Sequence, residues 1–236
     1  MTQTSPRVQE LLPGARAPIA IGFLDEVPAG LKKWDSGGVP AGCAFWKLAM
    51  DGRSFYTVPS DHFNCAVGSY THGIALPPER GAQLQDTIGF MIANRYLEMA
   101  EVPGIPVLPK APAYVAYAPA EAAPFQADVV VIAADPATAM LVYEAALRAG
   151  AGSALASALG RPGCAVLPLT RNSGTAAVSF GCKGNRTFTG LPDSQMYLCI
   201  PGGKWDAVVR ELAVVRQANR AMGEYYAGQK EKFPIV

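Results

Sequence analysis

The stretch DVVVIAADPATAMLVYEAALR, residues 128–148, decides the fold class. It opens with a short run of β-branched and small apolar residues, which is typical of a buried strand. Asp135 then suits the N-cap of a helix and Pro136 its first position, and Gly150 suits the helix end. A buried strand that leads directly into a helix predicts a chain of mixed secondary structure.

The surrounding segments also alternate between strand and helix patterns, but without a strict strand–helix–strand order. Strands are predicted at 17–23, 54–58, 113–117, 128–133, 175–180 and 195–200. Helices are predicted at 2–12, 78–98, 136–148 and 204–227, and 42–50 fits a short helix or an extended turn. Loops are predicted where no period is clean, at 60–73, 159–174 and 181–186, and the proline-rich 103–112 fits a rigid connector. This pattern predicts an α+β fold, a mixed sheet with flanking helices, in a single domain over residues 1–236.

Composition narrows the class of protein. Half of the residues are hydrophobic and 17% are charged, as in a well-cored globular chain, and the net charge of +1 argues against nucleic-acid binding. The longest apolar run, 129–134, is too short to cross a membrane, and no secretory signal is evident. Five cysteines without an export signal predict a cytoplasmic protein whose cysteines are free thiols or ligands. The apolar terminal helix either covers the domain's own core or pairs with a second copy as a homodimer.

Two stretches repeat the same order of features. Gly42-Cys43-Ala44 precedes a predicted strand and then Cys65, while Gly163-Cys164-Ala165 precedes another strand and then Cys182. This order suggests an internal duplication with halves at 17–100 and 113–200. Duplicated halves often pack about a pseudo-two-fold axis, so equivalent loops would meet and bring the four cysteines together.

Thiols and imidazoles in loops are candidate metal ligands. His62 and Cys65 are three residues apart and can reach one ion from a single turn. The predicted ligand set for an iron–sulfur cluster or zinc is Cys43, Cys65, Cys164 and Cys182, with His62 or His72 as a substitute. No C-x-x-C or H-E-x-x-H motif supports it, and Cys43 fits a core position as well as a site. Cys199, between Leu198 and Ile200 in a strand, is expected to be a core residue.

Two other interpretations stay open. In the first, a metal-free thiol enzyme uses Cys182 as its nucleophile, activated by Lys183 and Arg186, with His62 as base. In the second, a non-catalytic protein binds an anionic small molecule through Asn64, Lys183, Asn185 and Arg186. Neither a G-x-S-x-G elbow nor a dinucleotide-binding fingerprint is present, so hydrolase and Rossmann interpretations lose support.

Three strings carry a family resemblance: DHFNCAVGSYTHG (61–73), GRPGCAVLP (160–168) and SFGCKGNRTF (179–188). They resemble an uncharacterised archaeal and bacterial family, domain of unknown function 169, also called ArCR. The resemblance runs along most of the chain and highlights Cys65, Cys164 and Cys182. It implies no activity and no cofactor, and it leads us to expect a threonine where this chain has Gly163.

The favoured hypothesis is a metal- or iron–sulfur-binding protein that performs redox or small-molecule chemistry where the cysteines converge. Its partner would be a small-molecule ligand. The residues alone leave open whether it is an enzyme.

Overall fold

The computed structural model describes residues 8–12, 14–152 and 157–232. Most of the predicted first helix, 2–12, lies outside these residues, and its described part forms the short helix α1 (Val8–Leu11). Within the described residues, none of the helices combines the length and the apolar character needed to cross a membrane.

Eight strands form one mixed sheet in the order β2-β3-β4-β1-β5-β8-β7-β6. In chain order they are β1 (Ile19–Leu24), β2 (Lys32–Lys33), β3 (Phe55–Thr57), β4 (Tyr114–Pro119), β5 (Val129–Ala134), β6 (Ser157–Leu159), β7 (Ala177–Ser179) and β8 (Met196–Pro201). Neighbouring strands are antiparallel in the middle of the sheet and parallel at both edges, β2–β3 and β6–β7.

Helices cover both faces of the sheet. After α1 they are α2 (Ala44–Met50), α3 (Ala66–Thr71), α4 (Pro78–Ala93), α5 (Pro136–Arg148), α6 (Val166–Ser173), α7 (Lys183–Thr189) and α8 (Trp205–Lys232). One core packs α2 and α6 against the sheet, and the other packs α1, α5 and α8 against the opposite face. The predicted α+β class with a mixed sheet and flanking helices is therefore confirmed.

The two halves of the sheet have the same topology. In each half the first strand pairs antiparallel with the fourth, the fourth antiparallel with the third, and the third parallel with the second. The halves join through β1 and β5, where Ala20 lies opposite Val130 in an antiparallel pair. This is the arrangement expected of a two-fold axis between β1 and β5. The pairing groups β4 with β1, β2 and β3, so two halves defined by strand pairing meet between Pro119 and Val129.

Three segments predicted as loops contain helices, and these predictions were wrong. Residues 60–73 hold a 3-10 turn (Pro59–His62) and α3, residues 159–174 hold the turn Gly163–Ala165 and α6, and residues 181–186 enter α7. The helix predicted at 78–98 ends early, at Ala93. Part of the predicted 103–112 connector belongs to a 3-10 turn, Met99–Gly104. Such helices span about two turns or less, too few for a sequence period to be recognised, and contacts from the rest of the fold stabilise them.

Candidate functional site

A cavity of about 750 Å³ lies on the face of the sheet that carries α2 and α6. Loops from both halves line its floor, and α4 with the following segment lines its outer wall. Its volume falls within the range of small-molecule binding sites, and most of its lining is apolar, as such sites usually are.

Four of the five cysteines line this cavity, and each stands at the start of a helix. Cys43, Cys65 and Cys182 are the N-cap residues of α2, α3 and α7. Cys164 lies in the turn Gly163–Ala165, which leads into α6. The structure thus brings the four predicted thiol ligands to one cavity from two distant parts of the chain. All of them are free.

Contacts between the halves join the loops that carry these cysteines. Helix α2 contacts α7, and α3 contacts the turn Gly163–Ala165, so each contact joins a cysteine loop of one half to a cysteine loop of the other. The Thr71 hydroxyl of α3 lies 3.6 Å from the Cys164 sulfur. In chain order, the first contact joins the first cysteine loop to the fourth, and the second contact joins the second loop to the third.

The cavity keeps most of these thiols neutral. Burial raises the pKa of Cys43 to about 12, and Cys65 and Cys182 add smaller raising effects. Burial likewise raises the pKa of Cys65 and of Cys164, and negative charge on Cys65, Cys182 or Cys43 would raise that of Cys164 further. Each thiol is therefore close enough to the other three for their charges to interact. A metal would have to displace protons from these sulfurs, as thiolate ligation always requires.

Sulfur atoms in the site also accept backbone hydrogen bonds. The Asn185 N–H points to the Cys182 sulfur at 3.5 Å. Backbone hydrogen bonds from Gly42 and Gly68 to Cys65 lower its pKa, against the raising effect of burial.

Both histidines are buried and neutral, but only His72 lines the cavity. His72 Nδ1 lies 2.7 Å from the Gly68 carbonyl oxygen and must donate to it, so Nε2 carries the lone pair, which has no partner among the described residues. His62 Nε2 lies 2.8 Å from the Thr57 hydroxyl. Burial lowers the pKa of His62 to about 3, with a smaller effect from His72, and burial also lowers the pKa of His72.

The predicted anion-binding residues separate into two groups. Asn64, Lys183 and Asn185 line the cavity. Arg186 does not; its guanidinium donates to the backbone oxygens of Phe180, Pro192 and Gln195. The segment 181–186 is therefore the start of a helix whose arginine ties down the following turn, rather than a loop open to an anion.

Comparison with known proteins identifies the family. The family model of domain of unknown function 169, uncharacterised ArCR, matches residues 7–211. The chain belongs to this family. No curated protein matches the chain, and no solved structure does. The predicted resemblance is confirmed, and it covers both halves of the sheet and the whole cavity of this ArCR chain.

The unexpected Gly163 of this ArCR chain lies at a close approach of two cysteine loops. A Cβ atom built on Gly163 would stand 2.9 Å from the backbone nitrogen of Cys182 and 3.2 Å from the Gly181 Cα. Glycine therefore lets the Cys164 turn pack directly against the Cys182 loop, and a threonine here would require the two loops to separate.

The thiols of this ArCR chain do not form a ready-made site for a single ion. Within the described residues, no three cysteine, histidine, aspartate or glutamate side chains are placed to hold one metal ion. Cys199 is fully buried in β8 within the core and does not line the cavity, as expected for a core cysteine.

The residues of the outer cavity wall are not predictable as site residues from the sequence. Leu84, Ile88 and Met91 of α4 line it, and Tyr96 and Arg161 stand at its side. The apolar stripe of α4 was visible in the sequence as a helical period, but that period is typical of core packing and gives no sign of a cavity.

Proposed function

We propose that this protein binds an iron–sulfur cluster through Cys43, Cys65, Cys164 and Cys182 and carries out redox or small-molecule chemistry beside it. The observation that carries the proposal is that four free thiols, supplied by both halves of the sheet, line one cavity and interact electrostatically in every pair. Four cysteine thiolates are the usual ligand set of such clusters.

A cluster fits this thiol arrangement better than a single zinc ion. A tetrahedral zinc site needs its sulfurs to converge on one point at about 2.3 Å from the ion. In a [4Fe–4S] cluster each cysteine binds a different iron atom, so the four sulfurs stand further apart than around one ion. In this protein the charges of the four thiols interact, but within the described residues no three of them are placed for one ion. This spacing favours a cluster over a single zinc ion. Zinc is the alternative that metal analysis distinguishes.

The protein's own groups suit such a centre. Backbone N–H groups of Gly42, Gly68 and Asn185 would hydrogen-bond to thiolate sulfurs, which is one way proteins tune cluster potentials. The Nε2 lone pair of His72 has no partner, so His72 is a substitute ligand, whereas His62 lies outside the cavity lining. The apolar cavity walls would limit access of water.

We place this activity in the cytoplasm, where reducing conditions keep cysteines free for ligation. The cavity extends from the thiols to α4, so a small molecule could lie beside the centre. We propose that this ligand, rather than a macromolecule, is the partner on which the chemistry acts.

The proposal is tested by purifying the full chain without oxygen and measuring iron, acid-labile sulfide and zinc per chain together with the absorption spectrum. We expect iron and sulfide in matching amounts and a broad charge-transfer band that bleaches with dithionite. A matched pair of variants locates the centre: Cys164→Ser should lose iron and sulfide, and Cys199→Ser should keep them. A colourless protein without stoichiometric metal contradicts the proposal, and stoichiometric zinc without sulfide replaces the cluster by zinc.

A further inference from the structure

The part of the cavity away from the thiols is bounded by an apolar helix face with little to pack against. Leu84, Ile88 and Met91 recur at helical spacing on α4, line the cavity and are only half-buried. No residue of this 16-residue helix is buried, and α3 is the element it contacts most. Half-exposed apolar side chains facing empty space are stabilised when an apolar molecule fills that space.

The charged residues that line the cavity are all cationic. Its charged lining residues are Arg80, Arg161 and Lys183, and none of its lining residues is an aspartate or glutamate. Arg161 is engaged by Glu101 at 3.1 Å, whereas Arg80 and Lys183 form no ion pair within the described residues. Arg80, whose guanidinium donates to the Gln83 side chain at 2.8 Å, and Lys183 are therefore the two lining cations whose charge an anionic group can pair with.

Two buried polar side chains in the lining keep atoms without a hydrogen bond in the part of the chain that the structure describes. The Asn185 amide is 2% exposed and lies beside the Cys43 thiol and the Tyr197 hydroxyl, whose burial-raised pKa values it lowers, but neither its oxygen nor its nitrogen reaches hydrogen-bonding geometry with any described residue. His72 is 3% exposed and leaves Nε2 without a hydrogen-bond partner among the same residues. Buried polar groups are nearly always satisfied, so unpaired ones on a cavity wall point to an occupant with polar atoms of its own.

We propose that the cavity binds an amphipathic anion, a bulky apolar molecule that carries a carboxylate or a comparable acidic group. Its apolar body lies along the inner face of α4, its acidic group lies near Lys183 and Arg80, and a polar atom of it bonds to Asn185 or His72. The inference rests on the proposed function in one respect, since it takes the four thiols as the reactive end of the same cavity.

The test uses two probes that differ in charge alone, 1-pyrenebutyrate and its primary amide, in equilibrium dialysis against the purified full chain. Both should bind, and the carboxylate roughly five-fold more tightly, because a partly exposed charge pair contributes about 1 kcal/mol. The double variant Lys183→Ala/Arg80→Ala should remove this preference. The control Lys204→Ala/Arg220→Ala, which removes two exposed cations outside the cavity lining, should keep it.

Filling the cavity tests the location. Ile88→Trp, on the inner face of α4, should weaken both probes roughly tenfold or more by occupying their space. Gln85→Trp, exposed on the outer face of the same helix, should bind them like the unchanged chain. Because α4 buries no residue, both variants should fold, and circular dichroism verifies this.

Failure to bind either probe, equal affinity for the two, or equal binding by Ile88→Trp and Gln85→Trp would each overturn the inference. Dialysis does not depend on a metal, so the two proposals can fail separately. If the purified chain proves to be metal-free and Cys164→Ser still binds the probes, this inference stands and the cluster proposal fails.

Discussion

At the scale of single residues, His62 links the site to the stability of the fold. Its ring is buried between Phe45 and His72, and its Nε2–H donates to the Thr57 hydroxyl, which donates in turn to the Val115 carbonyl. The buried ring stays neutral far below the pH at which an exposed histidine gains a proton, because a positive charge is unfavourable away from water.

This burial predicts a loss of stability in acid. The pKa of His62 is about 3 in the folded chain against 6.5 when exposed, so below pH 6.5 the unfolded chain binds a proton that the folded chain does not. The contribution of His62 is complete above pH 6.5 and shrinks as the pH falls from 6.5 toward 3. By about pH 5 the free energy of unfolding should have dropped by about 2 kcal/mol from this group.

Urea unfolding of the unchanged chain and of His62→Phe, measured between about pH 7 and pH 5, checks this prediction. Phenylalanine keeps a ring against Phe45 and cannot take a proton, so the variant should lose less stability over this interval. Equal losses in the two proteins would show that His62 does not titrate as its burial requires.

At the scale of elements, Gly163 sets the distance between two cysteine loops. A methyl group at Gly163 would press on the Cys182 backbone nitrogen, and backbone cannot move aside as a flexible side chain can. We therefore expect Gly163→Ala to lower the free energy of unfolding by about 1–3 kcal/mol and to weaken metal retention.

Gly160→Ala is the matched control, because a Cβ atom there meets no atom within 4 Å. Denaturant unfolding should place it within about 0.5 kcal/mol of the unchanged chain. A Gly163→Ala protein as stable as Gly160→Ala, with full metal content, would mean that the close approach of the two loops is not needed.

The elements also show what could be predicted from sequence. Helix α5 was predicted at its observed bounds, because Asp135 and Pro136 provide local capping signals and the Asp135 side chain does accept from the Thr138 N–H. Helices α3 and α7 lie in segments predicted to be loops. Each has only six or seven residues, one of them a glycine, and packs against a helix or turn of the other half of the chain.

At the scale of the whole molecule, the repeated cysteine pattern and the repeated strand pairing fit the same internal duplication, which we propose as the origin of the site. The sequence suggested that equivalent loops would meet. It could not give the β1–β5 pairing that brings the two halves into register, because this pairing joins residues more than a hundred positions apart. The cavity was not predictable either, since it depends on where α4 lies rather than on its period.

The terminal helix has two different parts. Trp205, Val208, Leu212 and Val215 pack into the core of the sheet's second face, as one of the two predictions for this helix required. Met222, Tyr225 and Tyr226, further along, are all exposed.

Because these apolar side chains are exposed, we expect the distal part of α8 to pair with a second copy, as the predicted homodimer requires. Sedimentation velocity should find a dimer that the triple variant Met222→Ser/Tyr225→Ser/Tyr226→Ser converts to a monomer without loss of helix content. A monomer before substitution would contradict this prediction.

The most direct test of the central claim is the iron and sulfide content of five single variants, in which each cysteine in turn is replaced by serine and the protein is purified without oxygen. We predict that Cys43→Ser, Cys65→Ser, Cys164→Ser and Cys182→Ser each lose most of their iron and sulfide, and that Cys199→Ser keeps both at the level of the unchanged chain. Equal metal content in all five variants, or a loss confined to cysteines of one half, would contradict a centre built jointly by the two halves.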